Sequence, residues 1–218
     1  MERLSIVRRA PTLAAALVLS SNLVTANAAV LARFDFEDAN GAFTLAADDL
    51  AFNLSTGEWH DADGLLQSGT GNPGFALSAR SFHDGNQLLL SLAPASGFEL
   101  RLSDISFDAR VSATGPSGWH LHLAGNEIAS GTTATSFKAE HLLLNSLLFS
   151  DPFELALSAS GASSSAGTLR LDNFVLQGSL QPAVSAVPIP ALGWIFGGSV
   201  LGLLRRRRHH VGALTSAI

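Results

Sequence analysis

The sequence predicts an all-β domain, an antiparallel β-sandwich, and three observations support this fold class. Apolar residues alternate with polar ones at a period of two through the middle of the chain, as in strands with one solvent-exposed face. Segments rich in glycine and proline interrupt the alternation at the spacing typical of sandwiches. No strand pattern alternates with a helix pattern, so an antiparallel sandwich is favoured over a parallel sheet.

The strands are predicted in order along residues 29–180. In the first, Ala32, Phe34 and Phe36 point inward, whereas Arg33 and Asp35 point to solvent. The same alternation predicts six further strands, with inward residues Phe75, Leu77 and Ala79; Leu88, Leu90 and Leu92; Phe98, Leu100 and Leu102; Trp119, Leu121 and Leu123; Phe153, Leu155, Leu157 and Ala159; Leu169 and Leu171.

Two of these strands change the face of their apolar residues part of the way along. The shifts fall near Ser103 and Asp104 and at Asp172 and Asn173. Because a shift of one residue turns every later side chain to the other face, each position predicts a β-bulge or bend. Residues 139–149 are the remaining helical candidate, since their leucine run does not distinguish helix from strand by period.

Composition limits the partners and the chemistry. Of the 218 residues, 47% are hydrophobic, 14% are charged and none is cysteine, which removes disulfides, thiol nucleophiles and cysteine-based metal sites. Residues 29–182 hold six cationic side chains and seventeen carboxylates, a net charge of −11. This charge argues against nucleic acid as a partner.

The first 28 residues have the pattern of a secretory signal peptide. Three arginines precede the apolar residues 14–19, and the segment ends with small residues at Ala26 and Ala28. Signal peptidase accepts small residues at these two positions, so we expect cleavage after Ala28 and a mature chain that begins at Ala29. The alternative is a short buried helix.

The other end of the chain predicts a membrane segment. Residues 189–204 carry no charge and are just long enough to cross a bilayer, and the cluster Arg205, Arg206, Arg207 and Arg208 would keep the following residues 209–218 in the cytoplasm. Residues 181–186 are a linker to the sandwich. The alternative is a plain membrane anchor.

This end resembles the PEP-CTERM sorting signal of Gram-negative bacteria. The residues that carry the resemblance are the arginine cluster, the glycine-rich apolar segment and a motif similar to the Val-Pro-Leu-Pro-Ala subclass, namely Val187, Pro188, Ile189, Pro190 and Ala191. The resemblance implies that residues 187–208 are recognised by an exosortase, an integral-membrane cysteine transpeptidase that removes the tail. It further implies a precursor held transiently in the inner membrane and then passed to the cell surface or the exopolysaccharide matrix.

The middle of the chain resembles jelly-roll sandwiches of exported PEP-CTERM proteins and of carbohydrate-binding modules. Residues 34–37, 115–119 and 169–178 carry this resemblance. In such modules an early Glu and a late Asp often meet where the first and last strands pair, so the resemblance implies a calcium site at Glu37 and Asp172. Calcium favours carboxylate and carbonyl oxygens. The alternative is that Asp172 and Asn173 only tolerate an irregular backbone, and no other cofactor is expected.

Two further candidates concern side chains outside the core. His120 and His122 lie two apart on one strand, a spacing that can chelate zinc or copper, although exposed histidines without a metal are the simpler interpretation. Trp59 lies in a polar run and is the one plausible aromatic platform for a sugar ring. Its alternative is to pin a loop to the sandwich.

No motif for catalysis is present: the sequence contains no Gly-x-Ser-x-Gly elbow, no His-Glu-x-x-His and no Walker loop. We therefore expect an exported, non-enzymatic surface or extracellular-matrix protein, associated with exopolysaccharide or biofilm. The alternatives are a carbohydrate-binding module and a glycan hydrolase. A hydrolase needs two carboxylates about 5 to 9.5 Å apart in a cleft.

Overall fold

The computed structural model describes residues 28–61 and 66–183 of the chain. The predicted signal peptide as far as residue 27, the sorting signal at residues 187–208 and the tail at 209–218 lie outside the described residues. Within the described ranges, no helix is long and apolar enough to cross a membrane.

Thirteen strands form the described part of the chain, and every pairing between them is antiparallel. They are β1 (Ala29–Phe34), β2 (Asp49–Leu50), β3 (Leu54–Thr56), β4 (His60–Asp61), β5 (Leu66–Thr70), β6 (Phe75–Arg80), β7 (Gln87–Pro94), β8 (Phe98–Val111), β9 (Gly118–Leu123), β10 (Asn126–Thr132), β11 (Lys138–Phe149), β12 (Phe153–Ser160) and β13 (Thr168–Pro182).

The strands form two sheets. The first has the order β11-β8-β13-β1-β2, and β6 also pairs with β13 and carries β5 at its other edge. The second has the order β10-β9-β12-β7-β3, and β4 also pairs with β7. The first strand, β1, therefore pairs directly with the last, β13.

One hydrophobic core lies between the two sheets. Its centre is aromatic: the ring centroids of Trp59 and Phe174 lie 4.9 Å apart, and those of Phe107 and Trp119 lie 5.3 Å apart. Phe107 belongs to the first sheet and Trp119 to the second, so this contact joins the two layers. The prediction of an antiparallel all-β sandwich, with Trp119 in its core, is confirmed.

Both predicted bulges are present. The pairing of β13 with β8 shifts between Gln177 and Gly178, which leaves Ser103 without a direct partner on β13. It shifts again between Asp172 and Val175, where Asn173 has a φ of 48°. Asparagine tolerates this left-handed conformation better than most residues, so the second bulge forms at an asparagine.

The helical candidate at residues 139–149 is wrong, because these residues belong to β11 at an edge of the first sheet. Leu142 and Leu144 pack against the core, whereas Leu143 and Leu148 are 77% and 55% exposed. A leucine run satisfies either period, and here pairing with β8 decides between them. A bulge at Ser146, with a φ of 53°, interrupts the strand.

Candidate functional site

The structure places the two predicted calcium ligands at one turn, residues 71–75 between β5 and β6. Glu37 lies just after β1, and its Oε1 accepts a hydrogen bond from the backbone N–H of Phe75 at 2.7 Å. Asp172 lies at the β13 bulge, and its Oδ2 accepts one from the backbone N–H of Asn72 at 2.5 Å. The two carboxylates thus hold the two sides of the same turn.

Glycines allow this close approach. A Cβ atom at Gly71 would lie 2.7 Å from Oδ2 of Asp172, and one at Gly74 would collide with Oε1 of Glu37. Gly74 also has a φ of 74°, which side chains other than glycine rarely adopt. The turn therefore requires glycine at both positions for the carboxylates to reach its amides.

Asp172 is a buried carboxyl with only 1% of its surface exposed. Burial raises its pKa, and the hydrogen bonds from the backbone N–H groups of Asn72 and Asn173 partly oppose this effect. The nearby charges of Asp108 and Asp35 raise the pKa further. Asp172 is held by amide donors because a buried charge without partners would be costly.

Glu37 and Asp172 are the residues that could hold a calcium ion in this part of the structure. The described ranges contain no group of three or more His, Cys, Asp or Glu residues that could hold a metal ion. Further ligands would have to be carbonyl oxygens, which calcium accepts readily, such as those of the same turn. Carboxylate oxygens suit calcium in chemistry, and in this structure Glu37 Oε1 and both oxygens of Asp172 accept hydrogen bonds from backbone N–H groups.

An open acidic pocket of about 500 Å³ lies beside this turn, lined by Asp35, Glu37, Asp38, Thr44 and Asp48 among others. Asp48 Oδ2 accepts a hydrogen bond from the backbone N–H of Asp35 at 2.6 Å. Burial raises the pKa of Asp48 to about 6, and a hydrogen bond with the Asp35 side chain adds to the effect.

The pair formed by Asp35 and Asp48 does not suit a glycan hydrolase. Inverting and retaining enzymes both separate their carboxyl groups by about 5 Å or more, so that a sugar carbon or a water fits between them. Asp48 instead lies against Asp35: its Oδ2 accepts a hydrogen bond from the Asp35 backbone N–H, and the neighbouring Asp35 carboxyl helps to raise the pKa of Asp48.

A second polar cluster lies on the outer surface of the second sheet, on β9, β10 and β12. We call it the imidazole face, and it consists of His120, His122, Glu127, Ser158 and Ser160. The His120 ring lies at its centre, with Nε2 3.1 Å from Ser160 Oγ and Nδ1 3.3 Å from Glu127 Oε1. His122 Nε2 lies 3.4 Å from Ser158 Oγ. The hydrogen bond from His120 lowers the pKa of Glu127.

The two histidines point out of the sheet, as predicted. Their Nε2 atoms both face serine hydroxyls on β12 rather than each other, and this arrangement favours hydrogen bonding over the zinc or copper chelate that the spacing alone allows. The contribution of Glu127 was missed by sequence reasoning, because only the β9–β10 pairing brings it beside His120.

The interpretation of Trp59 as a sugar platform is wrong. Only 1% of its surface is exposed, and its ring packs against Phe34 and Phe174. Trp59 therefore pins its loop to the core, which was the alternative. Phe52, 89% exposed in the turn before β3, is the one aromatic among the exposed large hydrophobic residues of the described ranges.

Comparisons with known proteins give a distant likeness in fold. No family model and no curated protein matches the chain. Solved structures that match include a carbohydrate-binding module studied for mannan recognition (9% identity, 71% of this chain and 99% of that one, TM-score 0.42). Another is a family 11 carbohydrate-binding module from Clostridium thermocellum in complex with a mixed-linked tetrasaccharide. Its identity is 14%, the match covers 69% of this chain and 98% of that one, and the TM-score is 0.36.

A third match is the carbohydrate-binding module CBM36 in complex with calcium and xylotriose, at 14% identity over 57% of this chain and 99% of that one, with a TM-score of 0.35. Likeness at this level assigns neither a ligand nor an activity to this chain. The functional argument therefore depends on the imidazole face and on the turn held by Glu37 and Asp172.

The raised pKa of Asp48 predicts a loss of stability as the pH rises. The folded-state pKa of about 6 exceeds the ordinary value of 3.8, so the folded protein holds the Asp48 proton more tightly than the unfolded chain. The stability linked to this proton is fully present below about pH 4 and is lost as the pH rises through 6. Solvent screening reduces the effect to about 1 kcal/mol. Asp48→Asn should therefore raise the melting temperature by about 2–4 °C at pH 7.5 and leave it unchanged at pH 4.

The matched control for this experiment is Asp49→Asn, which removes a charge from the adjacent exposed residue. It should change the melting temperature little at either pH. Equal shifts for the two variants would show that overall net charge, rather than the contact with Asp35, is responsible.

Proposed function

We propose that this chain is an exported, non-enzymatic protein of the cell surface or extracellular matrix, and that its sandwich binds polysaccharide along the imidazole face. The observation that carries the proposal is the arrangement of that face. Imidazole, hydroxyl and carboxylate groups lie side by side on three neighbouring strands, and together they offer both donors and acceptors to sugar hydroxyls.

The shape of the same surface supports an extended ligand. The outward residues of the central strand β12 are small, namely Ala156, Ser158 and Ser160, whereas β9 and β7 on either side carry His122 and Leu89 opposite Ala156. Neighbouring strands lie about 4.8 Å apart. The two imidazole rings extend over β12 to the hydroxyls of Ser160 and Ser158, so a sugar chain lying along this strand would contact both rings.

The ends of the chain support export and sorting. The signal peptide with cleavage between Ala28 and Ala29 directs the chain across the inner membrane. The motif from Val187 to Ala191 and the arginines 205–208 support an exosortase as the processing partner, with transient residence in the inner membrane. Such a route delivers the sandwich to exopolysaccharide, the class of ligand that the imidazole face suits.

A structural calcium ion belongs to this proposal, held by Glu37 and Asp172. Support comes from the convergence of the two carboxylates on one turn and from the burial of Asp172, whose desolvation a cation would offset. The ion would tie the first strand to the last through the turn, in a chain that has no cysteine for a disulfide.

The proposal predicts that the double variant His120→Ala, His122→Ala loses polysaccharide binding. Removing the two rings deletes hydrogen bonds worth about 1 kcal/mol each, so binding to a panel of neutral polysaccharides (mannan, xylan and dextran) should weaken about tenfold or more in affinity electrophoresis. The matched control is His141→Ala, an exposed histidine on the first sheet. Absence of binding by the unmodified chain, or an equal loss in the control, would contradict the proposal.

Sorting is tested by two changes at the C-terminus. Neutral residues at Arg205 to Arg208 should impair membrane retention, because the positive cluster halts transfer. Replacing Pro188 and Pro190 by alanine should leave insertion intact and block cleavage, whereas Pro182→Ala, outside the motif, should be processed normally. Intact-mass measurement of envelope and surface fractions reads out both steps, and normal processing of the Pro188 and Pro190 variant argues against exosortase.

Calcium is tested by thermal melting of the full-length chain in detergent. Binding to the folded state alone stabilises it by about 2.7 kcal/mol at a hundredfold excess over Kd. The melting temperature should therefore rise with calcium and fall with chelator. Asp172→Ala should abolish this difference, whereas Asp49→Ala should retain it. A melting curve of the unmodified chain that ignores calcium and chelator rules out the ion.

A further inference from the structure

Three arginines lie together on the outer surface of the first sheet, and we call them the arginine cluster: Arg80 on β6, Arg170 on β13 and Arg110 on β8. Arg170 lies directly opposite Arg110 in the β13–β8 pairing. Arg80 lies opposite Thr168, two residues before Arg170 on β13. The residue before each arginine belongs to the core, namely Ala79, Leu169 and Ala109, so the three side chains share the outer face.

A group of three cationic side chains is unusual in a domain that carries a strong net negative charge. Residues 29–182 contain six cationic side chains and seventeen carboxylates, yet half of the cations lie in this one cluster. None of the three arginines forms an ion pair with a carboxylate in the part of the chain that the structure describes. Like charges directly opposite each other on paired strands are destabilising, so folding alone does not favour the arrangement.

The nearest carboxylate along β8 is engaged elsewhere. Asp108 lies two residues before Arg110 on the same face, but its Oδ2 accepts hydrogen bonds from the side-chain amides of Asn72 and Asn173, at 3.3 and 3.0 Å. Burial lowers the pKa of Arg170, and the charge of Arg110 lowers it further. The positive charge of the cluster is therefore not neutralised from within the described residues.

Two of the guanidinium groups are held in place by neutral contacts. Arg170 crosses β6 toward β5, where its Nη1 donates to the carbonyl oxygen of Thr70 at 3.3 Å. Gly69 leaves room for it, since a Cβ there would lie 3.1 Å from Arg170 Nε. The Arg110 guanidinium lies over the ring of Phe137, 5.3 Å from its centroid. Since β5 and Phe137 lie on opposite sides of the β13–β8 pair, these contacts hold the two guanidinium groups apart. Each group keeps other N–H donors for a ligand.

We propose that the guanidinium groups of the arginine cluster bind the carboxylate groups of separate uronic acid units in one acidic polysaccharide chain. Planar guanidinium groups match carboxylates in geometry and bind them through paired, charge-assisted hydrogen bonds. This inference rests on the proposed polysaccharide binding and adds a second surface, on the opposite sheet, that selects acidic chains. The net charge of −11 of residues 29–182 opposes any polyanion, so binding would depend on these local guanidinium groups and not on the charge of the whole domain.

The experiment compares two polymers with the same backbone, polygalacturonate and its fully methyl-esterified form, in binding to the full-length chain in detergent. The unmodified chain should bind the free carboxylate form about tenfold more tightly at 0.1 M NaCl, and the preference should shrink at 0.5 M. The double variant Arg110→Gln, Arg170→Gln should lose the preference and keep its binding to the esterified polymer. Its melting temperature should change little, because the loss of the contacts with Thr70 and Phe137 is offset by the loss of a repulsion.

The matched control is Arg33→Gln, an exposed arginine on β1 of the same sheet, opposite Val175 and five residues farther along β13 than Arg170. It should retain the preference. Equal binding of the two polymers by the unmodified chain, or an equal loss in the control, overturns the assignment and leaves the proposed polysaccharide binding intact. Failure to bind either polymer or any neutral polysaccharide of the panel overturns both.

Discussion

The fold depends on the pairing of one long strand, β13, on both of its edges. Along one edge it pairs with β8 from Leu169 to Pro182, and along the other it pairs first with β6 and then with β1. The change of partner coincides with the bulge at Asp172 and Asn173. In a chain without cysteine, this strand joins the first element of the domain to the last by backbone hydrogen bonds, and the buried carboxyl of Asp172 fixes the turn that fills the gap between β6 and β1.

Much of this fold follows from local patterns. The alternating strands β6, β7, β8, β9, β12 and β13 are predicted because each has one buried face, and the bulges are predicted because the apolar face changes. The strand β11 is not, because its leucines occupy both faces of an edge strand. The short strands β2 to β4 carry too few residues for a period to show, and only their partners make them strands.

The residues of the candidate sites also fall into two groups, those that the sequence predicts and those that only the structure reveals. Glu37, Asp172, His120 and His122 can be identified from residue type and place in the strand pattern. Their partners cannot, since Asn72 reaches Asp172 across a hundred residues of chain and Glu127 reaches His120 through a register set by the β9–β10 turn. Trp59 shows the limit most plainly, because a polar run in the sequence leads to a fully buried ring. Such contacts depend on tertiary pairing, which no local period records.

The direct pairing of Ala29 with Gly178 has a mechanical consequence. Because β1 and β13 are antiparallel, the chain enters and leaves the sandwich at the same end of one strand pair. Tension applied between the start of β1 and the end of β13 would therefore break the hydrogen bonds of this pair one after another. It would not load all of them at once in shear. A force applied only at the C-terminal end of β13 acts first on its pairing with β8. There, residues 178–182 pair with residues 98–102 without a break in register. A domain tethered at that side resists force with its longest strand pair.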